Sequence, residues 1–254
     1  TRAAKKRFMN SFTRLENFRL AAKDGEIGRF KDINFDDRDW AVRYLVIDTG
    51  NWIELDSVLL SPAAVTNVDQ DQQRIGVDLT REQIKTSPSI SSAPTVSAEQ
   101  EAAYLRHFGW PHYQVNAALW GTAAGPILSF PVPQAPETDE ANSKVNHLRS
   151  ASEIVNYHLE ARDGEIGHVS DVLLSTGPWV VRYLVASTRD WLPGKSFLIS
   201  PLWIRELDWA KSTIHIDLER ATIEKAPAYD SGSVLDAEYE KRLFEAVSRM
   251  PYWP

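Results

Sequence analysis

Asp39–Trp52 reads DWAVRYLVIDTGNW, and Pro178–Trp191 reads PWVVRYLVASTRDW. Each string has a tryptophan near either end, a β-branched and aromatic centre, and one arginine in the middle. Alternation within the first places Val42, Tyr44 and Val46 on one strand face, with Arg43, Leu45 and Ile47 on the other. Apolar residues on both faces predict a strand covered on both sides, near the middle of a curled sheet.

The resemblance between the strings belongs to a longer repeat. Asp24 and Asp163 are 139 positions apart, and the same offset links Trp40 to Trp179, Ser61-Pro62 to Ser200-Pro201, and Asp78-Leu79 to Asp217-Leu218. Laid without a gap on Asn156–Pro227, the segment Asn17–Pro88 is identical at 28 of its 72 positions. Two copies are too few for a solenoid, so the pattern predicts duplication of one small domain, each copy with its own core. Within a copy, Asp24-Gly25 is a turn signal, SVLLSP (Ser57–Pro62) a short strand stopped by proline, and RIGVDLT (Arg74–Thr80) a half-buried strand. Several short strands separated by turn residues predict a small barrel or sandwich.

A helical tail follows the strands of each copy. Ser97–Tyr113 (SAEQEAAYLRHFGWPHY) offers Ser97 as an N-cap and Gly109-Trp110-Pro111 as a stop; Val234–Pro254 (VLDAEYEKRLFEAVSRMPYWP) offers Asp236 as a cap and an apolar stripe of Tyr239, Leu243, Phe244 and Val247. Gly121–Lys144, rich in Pro, Ala and Gly, reads as a linker. The expected organisation is a first domain with its helical tail over 1–115, a linker over 116–147, and a second domain with its tail over 148–254.

Composition limits the function classes. The chain has 254 residues, 43% hydrophobic and 25% charged, with a formal net charge of −7, enough to bury a sizeable core. That charge, with a pI near 5.4, argues against nucleic acid held by bulk electrostatics. Cysteine is absent, which removes disulfides, thiolate nucleophiles and Cys-ligated zinc. No apolar run reaches the roughly 18 residues of a membrane span, so a soluble, cytoplasmic protein is expected. The opening TRAAKKRFMN (Thr1–Asn10) lacks an initiator Met and reads as a trimmed start.

Asp-Gly-Glu-Ile-Gly with the later Asp32 and Asp171, the Val-Arg-Tyr-Leu-Val strand, the Ser-Pro step, and WLPGKSFLISP at Trp191–Pro201 together resemble the PRC-barrel domain. The resemblance covers both copies, about 145 residues; copy one departs at Ile53-Glu54-Leu55-Asp56, where copy two has Leu-Pro-Gly-Lys. It implies two tandem, small, six-stranded SH3-like β-barrels in a mainly β chain, each followed by a short α-helix. Such domains occur in the cytoplasmic part of the photosynthetic reaction centre H subunit and in a ribosome maturation factor. The chain has nothing like the H subunit's membrane helix or the ribosome factor's other domain. What the resemblance implies is docking or assembly and not a conserved reaction; a protein partner or a homodimer is expected, with no catalytic residue and no cofactor, and a ribosome or RNA assembly role is the weaker alternative, opposed by the net charge.

Candidate site residues fall into three sets. The six histidines, His107, His112, His147, His158, His168 and His215, form no metal-binding pattern, and no nucleophile elbow or phosphate loop is present. Asp24, Glu26 and Asp32 recur as Asp163, Glu165 and Asp171, which allows a cation or small-molecule site; turn chemistry is the competing and favoured reading. Asp36–Asp39 (DDRD) has no counterpart in copy two and reads as a solvated loop tip. Arg43 and Arg182 are expected either to grip a partner's acidic group or to tie strands by pairing with Asp32 and Asp171. Of nine tryptophans, Trp40, Trp52, Trp179 and Trp191 recur and are expected to close the barrel ends. Trp110, Trp120, Trp203, Trp209 and Trp253, with Tyr113, fall outside the matched aromatics and are candidate contacts between domains or with a partner. The two barrels are expected to pack about a pseudo-twofold axis around a composite groove. Its halves would differ in charge through Glu54-Leu55-Asp56 against Pro193-Gly194-Lys195.

Overall fold

The computed structural model describes residues 9–50, 57–88, 98–109, 147–188, 194–231 and 235–251, with only the backbone for 98–102. Ser97, Trp52, Trp110, His112, Tyr113, Trp120, Trp191, Trp253, the Glu54–Asp56 turn and the linker segment Gly121–Lys144 lie outside the described residues. The chain is mainly β and forms two sheets of seven strands.

The first sheet uses β2 (Arg19–Ala22), β3 (Gly25–Asp36), β4 (Val42–Asp48), β5 (Ser57–Leu60), β6 (Val65–Asp69) and β7 (Arg74–Val77), in the order β5-β4-β3-β2-β7-β6. In the second sheet β9 (His158–Ala161), β10 (Gly164–Thr176), β11 (Trp179–Ser187), β12 (Ser196–Ile199), β13 (Ile204–Asp208) and β14 (Thr213–Ile216) repeat that order as β12-β11-β10-β9-β14-β13. β2 and β7 run parallel, as do β9 and β14; every other pair is antiparallel. The long β3 pairs with β2 at one end, Gly25–Arg29, and with β4 from Arg29 to Phe35. The two regions meet at Arg29, and a register shift follows at Lys31 within the stretch paired to β4.

Gly28 marks the place where β3 passes under the end of β4. Its φ is +148°, and a Cβ there would lie 2.1 Å from the carbonyl oxygen of Asp48. Only glycine allows that approach. The preceding Asp24 accepts the backbone N–H of Arg81 at 2.8 Å, which ties the hairpin to α2 (Arg81–Lys85); Asp163 does the same for Arg220 at the start of α5 (Arg220–Lys225). α3 (Ala98–Phe108) ends at Gly109, with φ +69°. α6 (Ala237–Ala246) is capped by Asp236, which accepts from the N–H of Tyr239 at 2.8 Å, and buries Tyr239, Leu243 and Phe244. No helix among the described residues is long and apolar enough to cross a membrane.

Two expectations change. Each half was expected to have its own core, but buried side chains of both halves belong to one contiguous cluster, from Phe12 and Phe35 to Val181 and Phe244. The second change is in β4. Asn34 pairs with Tyr44 and Phe35 with Val42, so Arg43 is the extra residue of a bulge, and Arg182 holds the same place between Leu173–Tyr183 and Leu174–Val181. A one-residue slip exchanges faces. Val42 therefore lies in the main core with Leu45 and Ile47, while Tyr44 and Val46 pack with Leu59, Tyr104 and Leu105 under α3.

Candidate functional site at the seam between the two sheets

The seventh strand of each sheet comes from the other half of the chain. β1 (Met9–Ser11) precedes the first half but pairs with β10, at Met9–Ser175, Asn10–Leu174 and Ser11–Leu173. β8 (Leu148–Ser150) precedes the second half but pairs with β3, at Leu148–Asp36, Arg149–Phe35 and Ser150–Asn34. The two sets of pairs are related by the same offset of 139 residues. After each arm strand comes one helical turn, α1 (Phe12–Leu15) or α4 (Ala151–Ile154), whose apolar residues Phe12, Leu15, Ala151 and Ile154 are fully buried. An Ala41–Val180 bridge and the Val181 N–H donating to the Trp40 carbonyl at 2.9 Å complete the seam. Sheet membership thus crosses the expected domain boundaries at both arms.

Asp32 and Asp171 hold the arms. Ser150 Oγ and Ser152 Oγ donate to Asp32 Oδ2 at 2.5 and 2.6 Å, and the Ser152 N–H donates to Oδ1 at 3.2 Å. On the other side Ser11 Oγ donates to Asp171 Oδ2 at 2.5 Å and the Thr13 N–H to Oδ1 at 3.1 Å. Ser11 and Ser150 also cap α1 and α4 by accepting the N–H groups of Arg14 and Glu153. Each carboxylate reads a Ser-x-Ser or Ser-x-Thr turn from the opposite half. Glu16 sits near both carboxylates, and partial burial, then the charges of Asp32 and Asp171, raise its pKa above the ordinary carboxylate range.

The expected pairing of Arg43 with Asp32 is replaced by another. Arg43, at its bulge, lies 3.1 Å from Asp36 Oδ2 and 3.6 Å from Asp39 Oδ2. DDRD is no solvated tip: Asp36 and Asp39 are 5% and 8% exposed. Burial opposes the Asp36 charge, but hydrogen bonds from Arg38, with the charges of Arg38 and Arg43, hold its pKa below the ordinary value. Burial raises that of Asp39, against an N–H bond from Ala41 and the charge of Arg43. Asp37 faces the incoming arm: His147 Nδ1 lies 2.8 Å from one of its oxygens, and Arg149 Nε donates to the other at 3.0 Å. Arg182 is buried in β11, beside Tyr183, whose hydroxyl donates to the fully buried Glu240 of α6 at 2.8 Å.

The remaining candidates separate. Trp203 is 2% exposed and meets Phe244 of α6 edge-on at 5.3 Å, so it holds the helix to its sheet. Trp209 carries the Arg149 guanidinium over its ring at 4.2 Å and meets Tyr157 edge-on at 5.8 Å. It belongs to the seam. Trp40 stacks on Phe35 at 5.1 Å, and Trp179 is buried. Glu26 is exposed, and Glu165 faces the exposed His158 at 3.2 Å. Asp24, Glu26 and Asp32 therefore have separate tasks, as do Asp163, Glu165 and Asp171. Among the described residues no three of the His, Asp and Glu side chains gather as a metal would require. A shallow polar depression of about 290 Å³ lies between α5 and the end of α6, where Asp217 is shared by Arg162 and Arg249, whose hydrogen bonds lower its pKa.

Sequence reading missed the arms. They lie upstream of the aligned repeat, which begins at Asn17 and Asn156, and their signal is the pair Ser11-Phe12-Thr13 and Ser150-Ala151-Ser152 at the same offset. Fold and seam define a mainly β chain of two sheets that exchange arms. Compared with known proteins, the chain matches no family model, and no curated protein is significantly similar to it.

Proposed function

We propose that the chain is a non-catalytic interaction or assembly protein built from two copies of a PRC-type domain that arose by duplication, each sheet closing as a small SH3-like barrel. The observation that carries this reading is the reciprocal arm exchange, the geometry of a two-fold assembly contained in one chain. The resemblance of both copies to PRC-barrels supports it, as does the bent β3 that serves two neighbours, a device of small closed sheets. The separate employment of Asp24, Glu26 and Asp32 favours assembly over a carboxylate site. Leu202 and Met250, at 53% and 66% exposure, are the large apolar side chains that the described surface offers a partner.

The test is recovery of the tagged protein from its native host under gentle conditions, with its companions identified by mass spectrometry. A stoichiometric protein companion, lost on L202D or M250D while the melting temperature stays unchanged, is the expected result. Absence of any companion, together with a thermal shift by a divalent cation or small molecule that D24A or D163A abolishes, would replace this reading with a binding site at the turns.

A further inference from the structure

We infer that the seam is selective: the edge of β3 accepts the basic strand β8 of the second half, the edge of β10 accepts the uncharged strand β1 of the first, and each half prefers the other to a copy of itself. The inference concerns recognition within the chain and does not depend on the assembly role. It comes from residues that occupy matching positions and differ in charge.

Asp37 on the β3 side matches Thr176 on the β10 side, and Arg149 on one arm matches Asn10 on the other. In the chain as folded, Asp37 has a side chain only 10% exposed and is met by His147 and Arg149. Arg149 is held both by Asp37 and by the face of Trp209. On the opposite side Asn10 Nδ2 donates to Thr176 Oγ1 at 3.0 Å, and its oxygen accepts from Gln70, which matches Trp209. One clasp is ionic and aromatic; the other is made of neutral amides and a hydroxyl.

Exchanging partners breaks both patterns. Two first halves would set Asp37 against Asn10, leaving a nearly buried carboxylate opposite an amide where Arg149 places a guanidinium. Two second halves would set Arg149 against Thr176, leaving the guanidinium no carboxylate. The Asp32 and Asp171 clasps do not discriminate, since both arms carry the Ser-x-Ser/Thr turn. They supply strength, and the Asp37 cluster supplies choice. Loss of one partner from a partly desolvated ion pair weakens association on the order of tenfold or more.

The test keeps the whole chain. A specific protease site is placed within residues 116–146, and the folded protein is cleaved there. The halves, one of them tagged, should stay together through size-exclusion chromatography. The cleaved protein is then unfolded, refolded and counted by native mass spectrometry. Unlike pairs should exceed like pairs on the order of tenfold over the statistical mixture. D37T combined with R149N, which copies the residues of the other clasp, should bring the count to the statistical mixture. R149K, which keeps the charge, should retain most of the preference and guards against loss of folding in the double variant. A statistical mixture from the unsubstituted protein, or halves that part on cleavage, would overturn the inference. So would an undiminished preference in D37T/R149N.

Discussion

Replacing Asp32 by alanine tests the seam most directly. Asp32 accepts three hydrogen bonds from the opposite half, from Ser150 Oγ, Ser152 Oγ and Ser152 N–H, and one local bond from the Ile33 N–H. Bonds to an ionised acceptor contribute about 1.5–3 kcal/mol when buried; in this half-exposed place about 1 kcal/mol each is the appropriate figure. D32A should therefore cost about 3 kcal/mol. For a cooperative unit of this size that lowers the melting temperature by roughly 6–12 °C. D24A is the control: its carboxylate caps α2 within its own half, so it should cost only about 1 kcal/mol. Both variants can be followed by circular dichroism melts and urea unfolding. A double-mutant cycle of D32A with S150A should return a coupling of about 1 kcal/mol, because the pair is in direct contact. If D32A costs no more than D24A, and the cycle closes to within about 0.3 kcal/mol of zero, the arms do not hold the halves together and the reasoning fails.

Three further outcomes are expected. G28A and G167A should each cost about 3 kcal/mol or more in urea unfolding, since their Cβ atoms would lie 2.1 and 1.9 Å from the Asp48 and Ser187 carbonyl oxygens; G50A, with φ +60° and open space around it, should cost about 1 kcal/mol. Glu16 has a raised pKa in the folded chain, so its contribution to stability is present below the unfolded value of about 4.3 and is lost as pH rises through the folded one. E16Q should accordingly melt above the parent at pH 7 and together with it near about pH 3, and a lower melting temperature at pH 7 would contradict the unfavourable effect of burial and of Asp32 and Asp171 on the Glu16 charge. W203A should lose about 3–5 kcal/mol through the cavity left against Phe244, whereas L202A should stay within about 0.5 kcal/mol of the parent; equal effects would mean that Trp203 is not the anchor of α6.

Much of this architecture is legible in the chain because its signals are local. The Asp-Gly turns, the Ser-Pro stops and the Asp236 cap all follow from residues within a few positions of one another, where backbone conformation and short-range hydrogen bonds decide the outcome. The face of Val42 was misread because alternation assumes an uninterrupted ladder, and the bulge at Arg43 shifts it by one residue. DDRD was misread as well. Four charged residues at a hairpin tip look solvated, yet the Arg43 guanidinium lies against Asp36 and Asp39, and the arm's His147 and Arg149 cover Asp37 from beyond the tip.

The amino-acid sequence by itself settled that the chain is mainly β, that its pattern occurs twice, and where the Asp-Gly turns and Ser-Pro stops fall. Tertiary structure alone decided which half each arm belongs to. A three-residue strand has no periodicity to read, and its hydrogen-bonding partners, about 110 to 170 positions away, become available only once β3 and β10 present a free edge.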